Sequence, residues 1–234
     1  MKVMGIVNVT PDSFSDGGRF YRPEEAARRA RNLLADGADV IDLGGESTRP
    51  GATPLGWEEE WSRLEPLFAL LAGAEAVISV DTYHSETAER ALAAGARMIN
   101  CVYVEPVVEM RRLVRAHPGT ELVVPAAAYD PATVTTEYLD PMIGFGTTRE
   151  EDVARLRSIP DLARLGRVLV GASRKRIVKK LVGEKAPPGK DLAGNLAIVM
   201  WAAFKGAGMV RVHDVRESVQ ALRVLTALDS DLCR

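Results

Sequence analysis

The chain has little with which to build a covalent framework. Cysteine occurs only at Cys101 and Cys233 in 234 residues, which supports neither a disulfide scaffold nor a metal site of thiolate type. Long apolar runs are missing as well. The longest, Leu196–Phe204, is far shorter than the ~20 residues of a membrane-spanning helix, so no membrane partner is expected. Lys2 followed by a short apolar segment does not compose a secretory leader. Charge of one sign is not in excess either. A formal net charge of −2 gives no reason to expect a nucleic-acid partner. The basic residues Arg176, Lys179 and Lys180 lack interleaved aromatics and read as a solvated helix face. These absences point to a cytoplasmic globular protein. With 47% hydrophobic and 26% charged residues, the chain can bury a sizeable core.

What the sequence does have is alternation. Short apolar runs are expected to form strands at Val3–Val7, Val40–Leu43, Val77–Val80, Met98–Ile99, Leu122–Val124, Tyr138–Leu139, Val168–Val170 and Met209–Val212. Amphipathic segments lie between them. Pro23-Glu24-Glu25 opens the first helix, with Gly37 closing it and Ala26, Ala27, Ala30, Leu33 and Leu34 on one stripe. Ser85 is expected to cap the helix that ends at Gly95, and Asp214 with Glu217 reads as a capping-box variant. Eight such periods over residues 1–234, without a linker or a composition break, predict one α/β domain, a (β/α)8 TIM barrel. A doubly wound open sheet is the alternative. The fifth period is defective. Only the thirteen residues Pro125 to Glu137 separate strands five and six, with Pro125, Pro131 and a β-branched stretch among them. A parallel crossover needs about a dozen residues and usually a full helix. The fifth helix is therefore expected to be absent or reduced to a turn, leaving apolar barrel wall exposed or covered by a partner.

Polar residues fall where these strands end. Asn8 ends the first; Asp42, Glu46 and Arg49 lie at or after the second; Asp81 ends the third and Asn100 the fourth. Asp140 ends the sixth, Ser173-Arg174-Lys175 follow the seventh, and Arg211 with His213 end the eighth. In a barrel these ends converge on one rim, where active sites sit. Only Pro125-Ala126 carries nothing. Asn8 also opens the polar, glycine-bearing segment Asn8–Gly18, which suits a loop that folds over a ligand. Asp81, Asn100 and Asp140, with Lys175 as a donor, suit a flat heterocycle rich in N–H groups. Arg49, Arg211, His213 and Asn8 suit a phosphate or diphosphate, whose oxygens Arg grips in pairs.

The segments Asn8–Gly18, Glu46–Ala52, Ser79–Thr82, Asp140–Gly146, Ser173–Lys175 and Arg211–Asp214 together resemble the dihydropteroate synthase family, in order and at the matching strand ends. The resemblance implies a pterin ring held by Asp81, Asn100, Asp140 and Lys175, with Arg174 stacked along it and Phe145 close by. It implies a diphosphate held by Asn8, Arg211 and His213, with Mg²⁺ near Asn8, and it places Ser173 among the substrate-binding residues. Thr48, Arg49 and Pro50 of the second loop, with Phe14 and Asp16 of the first, would close a p-aminobenzoate pocket. Lys175, Arg211, His213 and Arg49 would carry the catalysis. The family reaction resembles SN1 substitution, in which diphosphate leaves the pterin methylene and an arylamine attacks the resulting cation.

Three positions depart from the family pattern. Cys101 stands where an Asp usually follows the fourth-strand Asn. Val124-Pro125-Ala126-Ala127 replaces a Met-His-Met-type segment, and Thr147 replaces a Lys. These departures motivate alternatives: a different arylamine acceptor, as in methanopterin synthesis, or a pterin-binding barrel without catalysis. Cys101 reads as a buried structural thiol, and Trp57 with Trp61 as one helix face. Leu196–Phe204 is apolar around its whole circumference, which predicts a homodimer contact.

Overall fold

The computed structural model describes residues 1–9, 22–47, 53–74, 76–133, 136–183 and 191–228. Eight parallel strands close into a barrel in sequence order, with the first hydrogen-bonded to the last. They are β1 (Lys2–Asn8), β2 (Val40–Gly44), β3 (Val77–Asp81), β4 (Met98–Asn100), β5 (Glu121–Pro125), β6 (Glu137–Asp140), β7 (Arg167–Val170) and β8 (Met209–Val212). Each expected strand is present, and β1, β3, β4 and β6 extend into the polar residue at the end of the apolar run, Asn8, Asp81, Asn100 and Asp140. The closed ladder rules out the open sheet.

The described helices are α1 (Pro23–Ala35), α2 (Trp57–Leu70), α3 (Ser85–Ala93), α4 (Val107–Ala116), α5 (Arg149–Arg157), α6 (Ile159–Leu165), α7 (Arg176–Val182), α8 (Leu192–Phe204) and α9 (Val215–Leu228). Helix α1 begins with a proline and two acids and buries Ala26, Ala27, Ala30 and Leu33, as its stripe predicts. Helix α3 departs from expectation at its start. His84 occupies the cap position and Ser85 is already helical, its hydroxyl 3.1 Å from Glu86. The His84 N–H is instead satisfied by the Thr82 hydroxyl at 3.1 Å. At α9, the Asp214 carbonyl accepts the Ser218 N–H, while the Asp214 carboxylate accepts from Arg174 at 2.6 Å.

Between β5 and β6 the described residues include the 3₁₀ turn Ala126–Ala128 and form no α-helix. The bare wall expected there does not occur. Leu122, Val124 and Leu139 are buried within the chain itself. Helix α4 supplies the reason: Arg111 donates to the Ala128 carbonyl at 2.7 Å and bidentately to the Glu137 carboxylate at 2.8 and 2.9 Å. Glu137 is buried, so this pair ties the short crossover to its neighbour where a helix would otherwise pack.

The barrel interior is layered because side chains alternate with a period of two. Met4, Val40, Met98, Val123, Tyr138, Leu169 and Met209 form an inner apolar cluster with Val77 against it. Two residues further along the same strands come Ile6, Asp42, Asn100, Pro125, Asp140, Gly171 and Arg211, with Ser79 above Val77. The outward-facing residues, among them Val7, Ile41, Leu43, Val80, Ile99 and Val212, join the helices in a second cluster. Each such Leu or Ile contributes about 1.5–3 kcal/mol when fully buried. No helix among the described residues is long and apolar enough to cross a membrane.

Candidate active site

The polar layer lies at the C-terminal end of the barrel. Arg211, from β8, reaches across the interior: its Nε donates to Asp42 Oδ2 and its Nη2 to Asp81 Oδ2, each at 2.6 Å. Asp42 also accepts from Ser79 Oγ at 2.6 Å and from Asn100 Nδ2 at 3.1 Å. Two oxygens in this cluster are buried without a hydrogen-bond partner, Asp81 Oδ1 and Asn100 Oδ1. Asp81 and Asn100 are register partners across β3 and β4, so the unmatched acceptors sit on adjacent strands. An unpaired buried oxygen costs ~1–3 kcal/mol, and a donor-rich ligand would relieve both.

Opposite them stands Lys175. Its Nζ donates to the Ile143 carbonyl at 2.7 Å and lies 4.4 Å from the centre of the Phe145 ring. The β6–α5 loop is shaped to receive it. Asp140 Oδ1 accepts the Met142 N–H at 2.6 Å, and Met142 adopts a left-handed φ of 61°. Gly144 is left-handed too, and a Cβ there would stand 2.9 Å from Lys175 Cδ. Helix α5 pins the loop from behind, with Asp152 Oδ1 accepting from Gly144 N at 2.7 Å and from Thr147 Oγ1 at 2.5 Å. Arg155 donates to the Met142 carbonyl. The departure at Thr147 thus has a local use: its hydroxyl closes on Asp152, and its carbonyl accepts from Arg176 at 2.7 Å.

Burial sets the electrostatics. It pushes Asp81 up to about 7, with nearby Arg211 opposing and Asp42 adding to the rise. Burial raises Asp140 as well, against the pull of Lys175. The same loss of solvent brings Lys175 down to about 8, with Asp140 holding it from falling further. Burial also works against charge on Arg211, but Asp42 and Asp81 outweigh it and keep the guanidinium ionised. At neutral pH the pocket therefore combines two cations with carboxylates of weakened acidity.

Asp81, Asn100, Asp140, Lys175 and Arg211 share one end of the barrel as expected. Arg211, which the sequence sorts with an anion, lies among the carboxylates. His213 stands with Ser173, its Nδ1 3.1 Å from the hydroxyl oxygen and its N–H donating to that oxygen at 3.2 Å. Asn8, half-buried at the end of β1, faces the same end with its Oδ1 beside Gly44. Arg174 is held away from the interior by Asp214, while its left-handed backbone, φ 58°, presents its N–H to Asn195 Oδ1 at 3.1 Å. Phe14, Asp16, Thr48, Arg49 and Pro50 lie outside the described residues. Glu46 turns to the rim, accepting from Tyr83 Oη at 2.6 Å with His84 Nε2 at 3.3 Å. Cys101 is buried, its thiol pushed up to about 11 chiefly by burial, so it carries no thiolate chemistry.

Asp42 was legible as a polar residue near a strand end but not as a member of the site. Its signal is parity. It lies two residues beyond Val40, on the face that points into the barrel.

The chain matches the family described as pterin binding enzyme over residues 4–138 and 138–213. It is 36% identical over 272 residues to a dihydropteroate synthase of Neisseria meningitidis serogroup C, covering 99% of this chain and 94% of the relative. A solved Xanthomonas albilineans dihydropteroate synthase with 4-aminobenzoic acid superposes with a TM-score of 0.86 at 39% identity, covering 97% of this chain and 93% of that one. Another structure of the Xanthomonas enzyme, in complex with 7,8-dihydropteroate, gives a TM-score of 0.80 at 33% identity, covering 97% and 92%.

Proposed function

Because this chain belongs to the dihydropteroate synthase family of pterin-binding enzymes, we propose that it condenses 6-hydroxymethyl-7,8-dihydropterin diphosphate with p-aminobenzoate to give 7,8-dihydropteroate and diphosphate. The observation that carries this reading is the pair of buried, unmatched acceptors, Asp81 Oδ1 and Asn100 Oδ1. Nothing in an apolar or acidic ligand would satisfy them, whereas the N–H groups of a reduced pterin do. Asp140 extends the acceptor wall. Lys175 donates to the ring from the other side and is charged at neutral pH.

The chemistry follows from these groups. As diphosphate departs, positive charge spreads over the pterin ring, and the carboxylates beside it favour that charge. Ser173, His213, Arg211 and Asn8 take the leaving anion. Asn8 offers a hard carboxamide oxygen, which would hold a Mg²⁺ beside the leaving group. The chemistry such an ion would supply is charge neutralisation at the leaving group. Thr48, Arg49, Pro50, Phe14 and Asp16 complete the arylamine side in this reading, and exclusion of water protects the cation.

Two coarser features support the setting. Trp201 and Phe204 expose 41% and 58% of their surface on α8, which supports a homodimer through that helix. The buried, free Cys101 thiol is compatible with the reducing cytoplasm, the compartment this reading assigns. The decisive experiment incubates the purified protein with dihydropterin diphosphate, Mg²⁺ and a panel of arylamines and follows diphosphate release. Release dependent on p-aminobenzoate, with dihydropteroate formed, is the expected result. Release only with a larger arylamine would reassign the acceptor. Pterin binding without release would make the protein a non-catalytic pterin holder. Light scattering of the same sample reads the dimer.

A further inference from the structure

Among the charged residues of the polar layer, Asp42 is the one with no exposed surface. Its partners are internal: Ser79 on Oδ1, Asn100 and Arg211 on Oδ2. It is therefore placed behind the ligand-facing groups and does not touch a ligand itself. Its contacts nevertheless decide what two of those groups present. With Asn100 Nδ2 bound to Asp42 at 3.1 Å, the carboxamide oxygen points away, buried and unmatched. The opposite amide orientation would set two oxygens against each other at that distance, so the carboxylate fixes the hand of the amide. Arg211 is held by Nε on Asp42 and by Nη2 on Asp81. Because Asp42 takes Nε, the guanidinium does not depend on Asp81 alone, and Asp81 retains one open oxygen.

We propose that Asp42 is a positioning residue, which turns the Asn100 oxygen into the pocket and anchors Arg211 so that Asp81 remains open to the ligand. Ser79 in turn locks the rotation of the Asp42 carboxylate. The inference rests on the reading of this cavity as a pterin pocket, and its test separates the two.

The test compares wild type, Asp42→Asn and Ser79→Ala, each titrated with 6-hydroxymethylpterin by fluorescence and assayed for the KM of each substrate. Asp42→Asn keeps the shape and removes the charge; Ser79→Ala keeps the charge and frees the carboxylate to turn. If wild type fails to bind the probe, the pterin reading itself falls. Given wild-type binding, Asp42→Asn is expected to weaken it about tenfold or more, with the p-aminobenzoate KM within about twofold of wild type. The acid limb of probe binding should also move to lower pH, because Asp42 is one of the groups that raise Asp81, together with Glu60 and against Arg211 and Lys175. Ser79→Ala should weaken binding about threefold. Wild-type affinity and an unmoved acid limb in folded Asp42→Asn overturn the proposal, even if its Tm has dropped. Should Asp42→Asn fail to fold, Ser79→Ala decides alone, and unchanged affinity there overturns it.

Discussion

At the N-terminal mouth of the barrel, Glu121 accepts from Arg167 and lies 3.8 Å from Lys2, while the Arg167 guanidinium sits 4.2 Å from the centre of the Tyr138 ring. At the C-terminal mouth, Arg211 spans Asp42 and Asp81, and two acceptor oxygens nearby are left unmatched. Both ends cap the same apolar layer with ions. The lower set is partly exposed, with Lys2 at 47% and Glu121 at 25% side-chain exposure. The upper set is buried, with Asp42 at 0% and Arg211 at 17%. Charges paired in contact with water cost little to hold and contribute little. Charges paired out of water are held at high cost, and open acceptors among them persist because a ligand can satisfy them. The upper mouth has the organisation of a site and the lower one that of a plug.

The largest expected effect comes from removing the upper cation. Arg211→Ala leaves Asp42 buried without a counter-charge, which should destabilise the protein by about 3–5 kcal/mol in denaturant unfolding. Turnover of the protein that stays folded should fall about a hundredfold or more. Near-normal turnover would show that the leaving anion and ring are served by other groups and would erase the contrast. A second deletion, remote from both mouths, tests whether burial alone makes the difference. Arg111→Met strands Glu137, whose side chain is 3% exposed, and should also cost about 3–5 kcal/mol. The KM for the pterin substrate should not change. A raised pterin KM with unchanged stability would mean that the β5–β6 crossover shapes the pocket instead of only closing the wall.

A smaller signature is expected in pH. Asp81 titrates near 7 when folded against 3.8 ordinarily, so the folded state holds this proton more tightly. Its contribution to stability is present below about pH 4 and is lost as pH rises towards 7. Lys175 titrates near 8 in place of 10.5, so its charged form is penalised by folding and the penalty lifts between about pH 8 and 10.5. Ligand-free protein should be least stable between those limbs, and Asp81→Asn should reduce the acid-side slope, part of which remains with Asp140 and Glu60, both raised by burial, while leaving the alkaline limb in place. An unchanged slope in that variant would assign the titration to another group. If catalysis uses ionised Asp81 and protonated Lys175, activity should form a narrow bell between about 7 and 8. The least effect is expected below. Glu121→Gln should change unfolding free energy by no more than about 1 kcal/mol and leave turnover unaltered. A larger loss would make the plug a structural equal of the site.

Much of this was legible without coordinates. Strand positions follow from short apolar runs, and their polar ends mark one rim because parallel strands in a closed barrel all end on the same side. The reduced fifth helix followed from the shortness of the segment after Val124 and its prolines. Other features were not legible because they depend on neighbours distant in sequence. Arg111 covers the wall from a different helix, so the expected exposed patch did not form. Ser85 looked like a cap, but the helix starts one residue earlier than that, with His84 at the cap position and Ser85 already in the first turn. Arg174 was expected along the ring and is drawn instead to Asp214, forty residues on.

The sequence by itself determined the strands, their parallel βα repetition and the kinds of chemical group at their ends. Alternation and spacing are local, and a period of two needs no knowledge of what lies across the barrel. Only the tertiary structure decided which groups are partners. Asp42 and Arg211 are separated by 169 positions, yet they meet because barrel closure brings β8 beside β1, and β1 beside β2. Which oxygens stay open, and hence which end can hold a ligand, depends on that closure and on the solvent it excludes.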